Sequence, residues 1–300
     1  MIFDITQSYN KQNRQRLSDR YYPVDLLKTI IYNNKYDPEH IKLEIKSKLH
    51  DKNVGKSTVF RMVDNDFKSC LLYEGNLQFN KALYNWSSYK RLVSKGLWSW
   101  AYVTLYYAQF YAVTGLLNIQ GNVFTRPVLR EKEHQFHIYP ENFEDGVFIL
   151  ESRRLNKPHE DVWRQYYNVY RRARYKLQDY NELYQYDEEN QFKAIHDRNF
   201  TNYDISYKFL EYEYSREELK AFQESMSRNI FLVKDRNRFL NIEYIASLRI
   251  KLLYEQLDEI LTNNEFKEVK TNFNNKRKEM LELTIDDTPV RSIFQDWILE

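Results

Sequence analysis

The sequence predicts an all-α protein, a multi-helix bundle, and three observations lead there. Apolar residues recur at helical spacing through most of the 300 residues, enough for about eight to ten helices. Only six Gly and six Pro are present, too few for the many turns of a β-sandwich or barrel. One stretch, Leu97 to Asn122, carries no charged residue although 29% of the chain is charged. Such a stretch belongs in the middle of a bundle, covered on all sides.

The elements follow in order. Residues 1–20 are polar and basic (Lys11, Arg14, Arg16, Arg20) and read as a solvated arm. Tyr22-Pro23 opens a first helix, with Pro tolerated in the first turn and Leu26, Leu27, Ile30 and Ile31 on its apolar side. Asp37-Pro38 opens a second through Ile41, Ile45 and Leu49. Asn53 to Ser57 is a break that leads into a helix capped at Ser57 or Thr58. Val59 to Leu72 is read as the next helix, interrupted by Gly75-Asn76 and resumed from Leu77 to Lys95. Lys95-Gly96 separates it from the uncharged helix, which ends at Gly121-Asn122. On that helix Leu97, Ala101, Leu105, Ala108, Ala112, Gly115 and Ile119 share one narrow face that another helix can approach closely.

Residues 122–160 form an irregular connection holding Pro127, Pro140, Gly146 and Pro158, with short strands or turns near Phe136 to Tyr139 and Val147 to Leu150. Phe143-Glu144-Asp145 within it reads as a solvated acidic turn. Asp161 to Tyr186 is a long helix with Val162, Tyr166, Val169, Ala173, Leu177 and Tyr180 inward. Phe192 to Phe209 is ambiguous. Ser215-Arg216-Glu217-Glu218 is a capping box for a helix through Ile230. Helices over Ile242 to Ile260 and Phe266 to Leu283 follow. A short amphipathic helix with Val290, Ile293, Phe294, Trp297 and Ile298 closes the chain.

Composition narrows function. A net charge of +2 supplies no global field toward nucleic acid or membrane, so any such contact needs a local patch. The single cysteine, Cys70, excludes an internal disulfide and multi-cysteine zinc, and fits a reducing, cytoplasmic setting. The first residues lack a signal-peptide core. The uncharged run from Gly96 to Thr125 is long enough to span a bilayer, but its Tyr and Trp are spread through the middle rather than gathered at interfaces. The expectation is a protein without a membrane segment.

Gly55-Lys56-Ser57-Thr58 has the ending of a phosphate loop, but His50 stands where the earlier Gly is required. Glu131, Glu133, His134 and His137 contain His-x-x-His without the convergence a metal needs, so no metal and no cofactor is expected. Arg171, Arg172, Arg174 and Lys176 alternate with Tyr166, Tyr167, Tyr170 and Tyr175, a composition suited to phosphate contact and base stacking. The competing reading is core tyrosines with arginine stems packed over them.

Trp98, Ala101, Tyr106, Tyr107, Ala108, Phe110, Ala112, Leu116, Leu117 and Gly121, with Val169, Tyr170, Arg171, Arg172, Ala173, Arg174, Tyr175, Asp179 and Tyr180, resemble two helices of HEPN-type four-helix domains. The resemblance implies a HEPN-like helical core over 81–262, between an N-terminal helical region (1–80) and a C-terminal helical extension (263–300). It also implies a role in prokaryotic or phage conflict systems, including toxin–antitoxin and abortive-infection systems. Many members of that family are metal-independent RNases that pair an Arg with a His across four to six intervening residues. The imidazole moves a ribose proton and the guanidinium holds phosphate.

Here Arg198-Asn199 lies in the right region with no His at that distance. The Arg and His residues that fit this spacing, Arg130 with His137 and Arg153 or Arg154 with His159, fall in the irregular connection. The candidate catalytic residues are therefore Arg198, Asn199, Arg130, His137, Arg154 and His159. The candidate nucleic-acid contacts are Arg171, Arg172, Arg174 and Lys176. The expected function is a non-catalytic HEPN-like subunit of an antiviral defence system, binding a protein partner, a second copy of itself or RNA. The alternatives are an RNase toxin with an off-pattern site and a structural scaffold.

Overall fold

The computed structural model describes residues 22–32, 40–153, 157–171, 180–189, 191–203, Glu217 and 238–284. Most of them are helical, but the chain is not all-α. The helices are α1 (Val24–Tyr32), α2 (His40–Leu49), α3 (Phe67–Ser94), α4 (Trp98–Ile119), α5 (Pro158–Tyr170), α6 (Asn181–Glu189), α7 (Lys193–Tyr203), α8 (Arg238–Leu261) and α9 (Lys267–Thr284). The strands are β1 (Val59–Val63), β2 (Val123–Thr125), β3 (Val128–Leu129), β4 (Lys132–Glu133), β5 (Phe136–Asn142) and β6 (Val147–Ser152). Among the described residues no helix is long and apolar enough to cross a membrane. Apart from Glu217, the predicted helices at 215–230 and 290–298 lie outside the described residues.

The described chain forms two compact units. One gathers 1–78, 113–179 and 254–270, and contains the β-structure. The other gathers 79–112, 180–253 and 271–300.

In the first unit, β1, β6, β5 and β2 make an antiparallel sheet in that order, and β3 and β4 make a separate two-stranded ribbon. The expected irregular connection at 122–160 is thus mostly sheet. The expected helix from Val59 is a strand. Val59, Arg61 and Val63 are exposed while Met62 is buried, which is the two-residue alternation of a half-buried strand. β1 pairs with β6 from Val59 opposite Glu151 to Val63 opposite Val147. Asn53–Ser57 therefore turns into a strand instead of capping a helix, and Ser57 takes a left-handed conformation (φ 61°).

The inner face of the sheet carries Val123, Ile138 and Leu150 in one register row and Thr125, Phe136 and Ser152 in the next, all buried. Phe148 meets Phe67 of α3 edge-on at 5.0 Å, and Phe143 lies 5.9 Å from Phe148. Phe143 is 3% exposed, so the turn read as solvated is anchored in the core. Lys68 is fully buried beside it, its Nζ donating to the Glu144 carbonyl at 2.6 Å.

α3 runs through Gly75 and Asn76 without interruption. Gly75 is where α4 comes close: a Cβ there would stand 2.6 Å from Ile119 Cγ2 and 3.6 Å from the Gly115 carbonyl. The glycine serves helix packing and does not stop a helix. Near this contact Tyr170 Oη donates to Gln256 Oε1 at 3.0 Å, and Gln120 Nε2 donates to the same oxygen at 3.1 Å. The shared oxygen satisfies the Tyr170 hydroxyl and the Gln120 amide, while Gln256 Nε2 has no partner among the described residues.

In the second unit the dominant feature is a buried cation. Arg249 of α8 is 1% exposed and donates to Asp187 of α6 and to Gln109 of α4. Its guanidinium also lies 5.6 Å from the Tyr186 ring. A charge this deep is tolerable only with such partners. Nearby, Glu243 accepts from Tyr89 Oη at 3.1 Å and pairs with Lys90.

Two substitutions test this packing. Gly75→Leu should lower the urea midpoint by the equivalent of about 2 kcal/mol, because the added side chain has no room beside Ile119. Asp187→Ala should cost about 3 kcal/mol by leaving Arg249 buried without its anion.

Candidate binding face on the sheet

The sheet has a second face, and its residues follow from the register. Phe124, His137, Glu151 and Val59 form one row across β2, β5, β6 and β1. Tyr139, Ile149 and Arg61 form the next. Val59 is 58% and Val63 65% exposed, so this face opens outward at the β1 edge. Phe124, Tyr139, Ile149, Glu151 and Arg153 are half-buried, and His137 is 6% exposed.

The rings touch one another. Phe124 stacks on His137 with centroids 4.6 Å apart and planes at 11°. Tyr139 lies 5.1 Å from His137 on the same strand face. The Arg153 guanidinium sits 5.4 Å from the Phe124 centroid, within cation–π reach. Its backbone N–H donates to the Gln135 carbonyl at 3.0 Å, extending the β5–β6 pairing by one residue. Arg61 and Glu141 form an ion pair at 2.6 Å on the exposed edge.

The imidazole of His137 is pushed down to about 3, first by burial and second by the Arg153 charge. It is neutral across the physiological range, and so weak a base withdraws little from a ribose hydroxyl.

Of the other predicted catalytic residues, those described lie on other elements. Arg130 is exposed on the tight turn of the β3–β4 ribbon, where it and Glu131 both take left-handed conformations (φ 48° and 65°). His159 lies in the first turn of α5, and Arg154 lies outside the described residues. Arg198 on α7 donates to Asn199 Oδ1, its own neighbour, and covers the Tyr106 ring at 4.7 Å. No hydrogen bond or ion pair joins Arg198 or Asn199 to a histidine among the described residues. Among the described residues no three His, Cys, Asp or Glu side chains converge as metal ligands do.

Of the predicted nucleic-acid contacts, Arg171 is exposed at the end of α5 with its guanidinium 5.6 Å from the Tyr167 ring. Arg172, Arg174 and Lys176 lie outside the described residues. Tyr166 and Tyr170 are core residues, each 1% exposed.

Sequence reasoning missed Phe124 and Tyr139, and named Arg153 only for its distance to His159. The alternation in Phe136-His137-Ile138-Tyr139 was the available signal for one face. Compared with protein-family models, characterised sequences and solved structures, the chain shows no significant match in any of the three.

His137 makes the first unit acid-sensitive in a specific window. Its folded value lies below the unfolded one near 6.5, so its contribution is complete above that pH and is lost as pH falls toward about 3. His137→Phe keeps a ring against Phe124 and removes the titration. The difference in unfolding free energy between variant and wild type should shift in the variant's favour by a few kcal/mol from pH 7 to pH 4. Urea titrations at the two pH values check it.

Proposed function

We propose that this chain is a non-catalytic, HEPN-like subunit of a prokaryotic or phage defence system, and that it holds single-stranded RNA on the outer face of its sheet. The observation that carries RNA binding is the Phe124–His137–Tyr139 ring cluster with Arg153 against it. Unpaired bases stack on aromatic and guanidinium planes, and a phosphate backbone needs cations beside them. Sheets suit this task because side chains two residues apart on a strand stand on one face.

The non-catalytic part of the reading is supported by His137 being neutral and buried, and by Arg198 being engaged with Asn199 and Tyr106. The defence setting comes from the helix resemblance alone. The RNase alternative requires an Arg beside a His that can exchange a proton, and in the His137–Arg153 pair the imidazole is held neutral by burial.

Fluorescence polarisation with a labelled ten-nucleotide single strand tests the reading. Phe124→Ala and Tyr139→Ala should each weaken binding by about 1–3 kcal/mol. Affinity should fall as salt rises, and the RNA should stay intact on incubation without added metal. Equal binding by wild type and both variants would place RNA elsewhere, and cleavage lost in His137→Phe would restore the RNase. A partner protein captured through Val59 and Val63, with no RNA affinity, would point to a docking face instead.

A further inference from the structure

Two nitrogens on the outer sheet face lack any hydrogen-bond partner among the described residues although both are buried: Nε2 of His137 and Nε of Arg153. They belong to side chains that flank the same ring, Phe124, at 4.6 Å and 5.4 Å. The two groups also feel each other electrostatically, since the Arg153 charge acts on the imidazole.

Buried polar atoms in folded proteins are nearly always paired, so two unpartnered nitrogens against one ring call for a partner that the described residues do not supply. Its chemistry can be read from what surrounds it. It must present an acceptor oxygen to the guanidinium N–H, which only donates, and it meets the imidazole as well in the tautomer that carries its one N–H on Nε2. It must also be negative. Glu151, the register neighbour of His137, makes no ion pair with Arg153 among the described residues, and Glu141, farther along β5, is paired with Arg61. Water would satisfy the hydrogen bonds without answering the charge. A phosphate group answers both demands, and an arginine fork is the usual protein partner for it.

We propose that His137, Arg153 and Phe124 form a nucleotide-phosphate site, in which the phosphate bridges the two orphan nitrogens and the attached base stacks on the Phe124–Tyr139 side. The proposal rests on the RNA-binding reading and names the chemistry of its contact. The neutral state of His137 suits the role: it donates from one nitrogen without needing a proton from solvent. Arg153 is the more exposed of the two, so the ligand reaches the pair from its side.

Isothermal titration of the full chain with uridine 5′-monophosphate, with uridine and with a ten-nucleotide oligouridylate tests the site. The monophosphate should bind at least roughly tenfold more tightly than uridine. Arg153→Met keeps the stem over Phe124 and removes the fork, and should weaken the monophosphate roughly ten- to hundredfold. Arg153→Lys should recover part of the loss, because charge returns without the fork. His137→Phe should weaken it as well, but if that variant unfolds, the two Arg153 variants carry the test.

Equal binding of monophosphate and uridine, or no change in Arg153→Met, would overturn the site. Oligouridylate bound equally by wild type and Arg153→Met would leave RNA binding standing and remove this site. Monophosphate bound through Arg153 with no affinity for the oligomer would keep the site and remove the RNA reading. If neither ligand binds, both fall.

Discussion

A helix of 22 residues with no charge has little to gain from water, and its polar edges must find partners inside the protein. α4 is such a helix, and each unit meets that demand in its own way. In the first unit the end of α4 lies against α3 at Gly75, and the Leu116 carbonyl accepts from Tyr170 Oη at 3.4 Å. In the second, Gln109 has no charge of its own and is answered by the buried Arg249, which in turn requires Asp187. Burying a neutral amide thereby recruits a cation, and the cation recruits a carboxylate from a third helix. The outlying positions of the stretch, Leu97 at 47% and Trp100 at 63% exposed, are where this covering stops.

The helical framework was largely legible because its signals are local. Pro23, Pro38, the spacing of Ile41, Ile45 and Leu49, and the uncharged run each act within a few turns of the chain. α1, α2, α4, α8 and α9 fall close to where periodicity put them. Gly75-Asn76 failed for a different reason. A glycine in a helix pattern can mean a break or a close neighbour, and only the position of Ile119, more than forty residues later, decides between them. β1 failed because five residues of alternation are too few to outweigh the helical pattern that follows, and its partner strand begins at Val147.

The candidate site was legible in part and through the wrong measure. His137 stood out as a histidine in a polar connection, and Arg153 as an arginine near another histidine. Distance along the chain pairs Arg130 with His137, but β-pairing sets Arg130 on a separate ribbon and lays β6 beside β5. Arg153 lies one residue beyond the Ser152–Phe136 pair, at the end of the same two strands that carry His137. A sheet places residues by register, so residues thirteen to thirty positions apart become neighbours while those seven apart do not. Phe124 and Tyr139 had no chemical label to single them out. They became notable only as members of one face.

The same burial that disfavours proton transfer by His137 suits the recognition role proposed for it. Acid–base work needs a group that changes charge near the working pH and lies open to the reacting atom. Here a low-dielectric ring stack and a neighbouring guanidinium both disfavour the imidazolium, and they act together. A group held in one protonation state is a fixed donor or acceptor, and fixed donors discriminate between ligands by geometry. The cost of keeping such a group buried without a partner is recovered only when a ligand arrives to satisfy it. An anion would relieve the Arg153 charge at the same moment, so a single occupant would satisfy two separate deficits on one face of the sheet.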